Sequence, residues 1–184
     1  MTTGTSRIAV VVGGRSQGFS LVELMMCLAI LALASVGAWA LFAASTESAK
    51  VVDTQGRVSA ISQAVLRSYA SGRDFSALST NSAHAEGWLP ESVLGTDGRA
   101  ANAWGYPIEF GHRDDGQARP AFTLTQSVPA ASCATLVVNV ASAVDAVQLN
   151  GGEAISRSDA LNPAALVPLC GDAELSVITL IYRR

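Results

Sequence analysis

The chain has 184 residues and a mass of 19.0 kDa, room for one ordinary domain and not for two independent cores. Apolar residues make up 49% and charged residues only 15%, which excludes an intrinsically disordered chain. A net charge of −3 offers no basic footprint for nucleic acid.

From Phe19 to Ala44 the chain reads FSLVELMMCLAILALASVGAWALFAA, 26 residues carrying one charge, Glu23. At ~1.5 Å per residue a helix of this length spans about 39 Å, more than a hydrocarbon core of ~30 Å. The run contains no proline and is dominated by Leu, Ala and Met, so it predicts a helix. It is apolar on every face, unlike the one-sided helices of soluble cores, and reads as membrane-spanning. The eighteen residues ahead of it hold Arg7 and Arg15 and no acid. The positive-inside rule then leaves the N-terminus in the cytoplasm and sends the chain after Ala44 outward. The stretch from Arg7 to Gly14, followed by Gly18, imitates the first strand and glycine turn of a dinucleotide-binding fold. That reading needs an acid about 20 residues on, where the apolar Gly37-Ala38-Trp39 stands instead.

Beyond the apolar run, Val51, Val58, Ile61, Val65 and Tyr69 recur at helical steps, with Lys50, Asp53, Gln55, Arg57 and Arg67 off that stripe. One helix from Phe19 to about Ser71, roughly 80 Å long, is the expectation, with Gly56 its weak point. The outer half of such a helix is too polar to stand alone, so its stripe must pack on a globular head, residues 72–184. Residues 76–105 read as loop with a short helix near Pro90 to Leu94. Strands are expected at Pro107–His112 and Ala121–Val128, joined by the solvated turn Asp114-Asp115-Gly116. A helix follows from Pro129 to about Val144, then a strand at Val147–Asn150, and last Leu175–Tyr182, the strongest strand signal of the chain. The fold class is α+β: an antiparallel sheet packed on a long helix.

An ordinary secretory signal carries its cleavage site after the apolar stretch. Here the suggestive junction comes before it, in Arg15-Ser16-Gln17-Gly18-Phe19-Ser20-Leu21-Val22-Glu23. With the upstream arginines and the immediate apolar helix, this junction resembles the class III signal of type IV prepilins and pseudopilins. The resemblance implies removal of a leader, residues 1–18, by prepilin peptidase between Gly18 and Phe19, and N-methylation of Phe19. It implies a mature helix over residues 19–71, membrane-spanning over 19–44, and a role for Glu23 in assembly. A carboxylate within a membrane costs roughly 2.5–3.5 kcal/mol on insertion scales and calls for a cationic partner. In the family that partner is the Phe19 amine of a neighbouring subunit.

Asn102-Ala103-Trp104-Gly105-Tyr106-Pro107 reads physically as a turn with a buried ring at a strand entry. It also resembles the Asn-x-Trp-Gly-Gly motif of type IVb pilins, the branch of toxin-coregulated, bundle-forming and conjugative thin pili, with Tyr106 in place of the second glycine. Of three cysteines, Cys27 lies in the apolar run and Cys133 and Cys170 in the head. The resemblance implies a disulfide between these two, enclosing a solvent-facing segment, Ala134–Leu169. Metal and enzyme signals are poor: His84 and His112 are isolated, and no Gly-x-Ser-x-Gly elbow or Gly-Lys-Ser/Thr loop occurs.

The expected protein is therefore no enzyme and carries no cofactor. It is a major pilin of a type IVb-like pilus that polymerises with itself, for adhesion, aggregation or conjugation. Its other partners would be prepilin peptidase and an inner-membrane assembly platform, and its path would run from the inner membrane to a surface fibre. A minor pilin or a type II secretion pseudopilin is the alternative, and a membrane-anchored periplasmic enzyme a distant one.

Overall fold

A single α-helix, α1, runs from Leu21 to Ser68 in the computed structural model, which describes residues 20–71, 74–87, 89–114, 120–160 and 162–183, apart from the side chains of Val36, Gly37, Ala40 and Ser158. The chain divides into two compact units, Met1–Phe42 and Ala43–Arg184. In the first, every described large apolar side chain from Leu21 to Phe42 is exposed. No helix among the described residues is long and apolar enough to cross a membrane. Three side chains inside the apolar run, those of Val36, Gly37 and Ala40, fall outside that description.

In the second unit α1 changes character. Val51, Val58, Ile61, Val65 and Tyr69 are buried, with Thr54 and Ala64 beside them, while Asp53 and Arg67 stay exposed. The spacing of three and four residues keeps this stripe on one face, which meets a five-stranded sheet. The strands are β1 (Ile108–Arg113), β2 (Ala121–Pro129), β3 (Ala146–Leu149), β4 (Ala154–Ser156) and β5 (Leu175–Arg183). They lie in the order β1-β2-β5-β3-β4, every neighbouring pair antiparallel. Phe122, Leu124, Gln126 and Val128 alternate along β2 toward the core, opposite Tyr182, Leu180, Ile178 and Ser176 of β5. An aromatic chain joins the end of α1 to this face: Tyr69 to Phe75 at 5.2 Å, Phe75 to Phe122 at 5.0 Å and Phe122 to Tyr182 at 4.8 Å between ring centroids. The Tyr182 phenol lies deep enough that burial pushes its pKa up, opposed in part by its neighbour Ser62.

The short helices are α2 (Thr80–Ala85), α3 (Ala130–Ala141), α4 (Arg157–Ala160) and α5 (Pro163–Cys170), with a 3-10 turn at Glu91–Val93. Pro129 ends β2 and caps α3 directly, so strand passes to helix with no loop. Leu136, Val137 and Val140 of α3 fill the core beside the sheet. A disulfide between Cys133 of α3 and Cys170 of α5, both buried, closes that layer. The arrangement is the α+β one expected.

The differences from expectation are local. Residues 76–105 contain a second helix, α2, where loop was expected. Ser79 and Ser82 form a reciprocal capping box there, and only Ala83 is buried, so the helix rests on its cap and carries no apolar stripe. α3 ends at Ala141, short of Val144, and β4, α4 and α5 occupy a stretch to which the sequence reading assigns no elements. Of the anticipated Asp114-Asp115-Gly116 turn, the last two residues lie outside the described ones.

Candidate functional site

Gly18 and Phe19 lie outside the described residues. Helical bonding begins at once after them, with the Leu24 N–H donating to the Ser20 carbonyl at 3.1 Å. Glu23 stands in the first turn of α1, where an acid complements the partial positive charge of a helix N-terminus. Its carboxylate is exposed among Leu21, Val22, Leu24 and Met26, and no ion pair reaches it from the described residues. Cys27 follows one turn later, also exposed.

The segment from Asn102 to Tyr106 is built around one buried side chain. Asn102 Oδ1 accepts the backbone N–H of Trp104 at 3.1 Å and of Tyr106 at 3.0 Å, and its Nδ2 donates to the Ser127 carbonyl of β2 at 2.7 Å. No other residue type offers an acceptor and a two-proton donor on so short a stem. The Gly105 N–H closes the turn on the Asn102 carbonyl, and Gly105 takes a φ of +84°, which disfavours any side chain. Tyr106 has no positive φ, so the conformation here makes no demand for glycine at that position.

Three residues of α1 clasp this loop. The Ala103 N–H donates to buried Thr54 Oγ1 at 3.1 Å, Arg57 Nη1 donates to the Ala101 carbonyl at 3.2 Å, and Trp104 Nε1 donates to Glu47 Oε2 at 2.9 Å. Glu47 is also paired with Lys50 at 2.9 Å, and Arg57 with Asp53 at 3.1 Å. The indole hydrogen bond, with that of Lys50, holds the Glu47 carboxyl below its ordinary pKa. Sequence reasoning singled out Asn102, Trp104 and Gly105 and missed Glu47, Thr54 and Arg57. A lone Glu-x-x-Lys pair on a helix is too common to signal a partner 57 residues away.

A second missed residue is Asn150. It takes a φ of +50° in the turn after β3. Its Nδ2 donates to the carbonyls of Leu169 at 3.0 Å and Cys170 at 3.1 Å, while Oδ1 accepts the Val177 N–H at 2.8 Å. One side chain thus ties the disulfide-bearing end of α5 to the start of β5. The Asn-Gly dipeptide at Asn150-Gly151, a turn signal in its own right, was the available clue.

These features are joints and surfaces. No group of three His, Cys, Asp or Glu side chains among the described residues is placed to hold a metal ion.

The bundlin family profile matches residues 43–182, and the prokaryotic N-terminal methylation motif matches residues 8–39. No match is found among curated protein sequences. Among solved structures, the chain is similar to TcpA, a type IV pilin from Vibrio cholerae El Tor biotype, with a TM-score of 0.52 and 16% identity over 72% of this chain and 98% of that one. It is similar also to the type IVb pilin from Salmonella typhi, with a TM-score of 0.50 and 16% identity over 74% of this chain and 99% of that one. At such identity these two likenesses speak for the fold, while the bundlin match covers the head up to residue 182 and the part of α1 from residue 43 on. The chain belongs to the bundlin family, within the type IV pilins.

Proposed function

We propose that this pilin is the major subunit of a type IVb-like pilus and polymerises through the apolar part of α1. The observation that carries this reading is the exposed apolar surface from Leu21 to Phe42, interrupted only by the charge of Glu23. Water is a poor solvent for a helix apolar on all sides, so lipid must cover it first and other copies of α1 afterwards. In lipid, residues 19–44 span the inner membrane with the N-terminus in the cytoplasm and the head outside. Prepilin peptidase removes residues 1–18 after Gly18, Phe19 becomes the methylated N-terminus, and the assembly platform passes the subunit into a surface fibre. Within the fibre the Phe19 amine of one copy meets Glu23 of the next, which relieves the buried acid and sets the register. The role is structural, with no catalytic step.

The test is a comparison of sheared surface fibres with the membrane fraction. Intact mass should place the fibre subunit's first residue at Phe19 with one added methyl group, and Gly18→Ala should leave unprocessed precursor in the membrane. Fibres built of this chain as their main component support the major role, whereas trace amounts in fibres of another subunit overturn it in favour of a minor pilin. Fibre subunits that retain Met1 overturn the processing.

A further inference from the structure

Two basic side chains of the head border one small cavity whose lining, among the described residues, holds no acid. The cavity holds about 220 Å³ between α2, the turn before Ala100 and β1. Thr80 and His84, one helical turn apart on α2, face it together with Asn81, and Arg99 faces it from the opposite segment. Buried Ala100 and Phe110, with half-buried Leu89, supply an apolar floor. Gly98, at φ +74°, carries the chain past the His84 ring, where an added Cβ would lie 3.7 Å from His84 Cε1.

Two cations beside other cavities of the head are already matched. Lys50, beside the α1–α3 groove, is held by Glu47 at 2.9 Å, and Arg57, in the cavity under the Asn102 loop, by Asp53 at 3.1 Å. By contrast, neither Arg99 nor His84 has a side-chain hydrogen bond or ion pair to any described residue. Arg99 also borders the neighbouring cavity together with Asp97, yet the Asp97 carboxylate accepts the Arg99 backbone N–H at 3.1 Å and makes no ion pair with its guanidinium. The Thr80 hydroxyl accepts the Phe110 N–H at 3.0 Å and so keeps its own proton to donate.

We propose that this cavity binds a carboxylate-bearing monosaccharide, a uronic or nonulosonic acid, with Arg99 taking the carboxylate. A guanidinium fork matches a carboxylate through two parallel hydrogen bonds, and His84 adds a further polar contact beside it. The apolar floor accepts the C–H face of a sugar ring, and Asn81 and Thr80 offer partners for its hydroxyls. The volume suits a single ring, below the roughly 300–1,000 Å³ of pockets that enclose drug-sized ligands. An inorganic anion could use the Arg99 guanidinium but would leave the floor and the amide idle.

The full chain in detergent micelles is titrated with N-acetylneuraminic acid and with glucuronic acid, followed by calorimetry, with glucose and inorganic phosphate as comparison probes. Saturable binding of at least one sugar acid is expected, with glucose and phosphate weaker by about tenfold or more. Arg99→Ala should lose about tenfold or more, and Arg99→Lys, which keeps the charge without the fork, should also bind more weakly. Asn81→Ala should weaken the sugar acid and leave phosphate unchanged. Phosphate binding as tightly as both sugar acids would reduce the site to a patch of positive charge and overturn the proposal. Equal binding by wild type and Arg99→Ala, or no saturable response to either acid, would overturn it as well. None of these readings depends on whether the chain forms fibres.

Discussion

The indole Nε1 of Trp104 donates to Glu47 Oε2 across 2.9 Å, so the Asn102 loop is fastened to α1 by a charge-assisted bond as well as by Thr54 and Arg57. Because Trp104 and then Lys50 favour the ionised carboxylate, the folded pKa of Glu47 lies below its unfolded value. The stabilising contribution is therefore complete above the ordinary carboxylate pKa and is lost as pH falls through the folded one. Thermal unfolding of wild type and Glu47→Gln should differ at about pH 7 and converge once the pH falls below the folded carboxylate pKa. Trp104→Phe, which keeps an aromatic though smaller ring and removes the donor, should reproduce the pH-dependent part of the effect. A gap independent of pH would mean that the bond contributes through shape alone.

Gln126 is 2% exposed on the core face of β2, and neither Oε1 nor Nε2 has a hydrogen-bond partner among the described residues. A buried amide left unmatched costs about 1–3 kcal/mol. Gln126→Leu or Gln126→Met should thus raise stability by about that amount in chemical denaturation of the full chain. A fall in stability would show that the amide is satisfied by water or by a group elsewhere in the chain.

The Cys133–Cys170 disulfide spans a sequence separation of 37 residues. The loop-closure argument assigns such a link about 4 kcal/mol, and Cys133→Ser with Cys170→Ser should lose most of it. Asn150→Ala should loosen the same corner from the other side, because the Leu169 and Cys170 carbonyls then lose a donor. Denaturant midpoints of the oxidised, reduced and Asn150→Ala proteins test both statements, and identical midpoints would refute them.

Glu23→Ala lowers the cost of burying α1 and should leave insertion and leader removal intact. The expected defect is a single one: processed subunits accumulate in the membrane while the fibre yield falls to little or nothing. Co-expression with wild type should give mixed fibres at reduced yield. Wild-type amounts of fibre from Glu23→Ala alone would mean that apolar packing, without a charge pair, sets the assembly.

What was legible in the residues follows from how many of them repeat a signal. The stripe from Val51 to Tyr69 could be read because burial on one helical face imposes the same requirement at every turn. β5 was legible because Ser176, Ile178 and Leu180 alternate toward the core among other strand formers. α5 was not, since Pro168 inside it argues for a break, although Asn162 and Pro163 are a sound cap and first residue for a helix. α2 has too few buried residues to show a period, and β4 is only three residues long. The clasp on the Asn102 loop was illegible for a different reason. Each of its contacts joins residues far apart in sequence, and no local pattern encodes such a partner. The carboxylate pairing and the sheet order are properties of the fold.

The place of β5 has a consequence for how the head comes into being. It is the last strand in chain order, yet it lies between β2 and β3 and pairs with both along their length. Until Leu175–Arg183 arrives, β2 and β3 each present a raw edge, and Phe122 lacks the Tyr182 ring that covers it. A product clipped or stalled before Leu175 therefore cannot settle into a smaller version of the same head. The sheet is whole only once its final strand lies between β2 and β3, so folding itself distinguishes a chain that carries Leu175–Arg183 from one that lacks it.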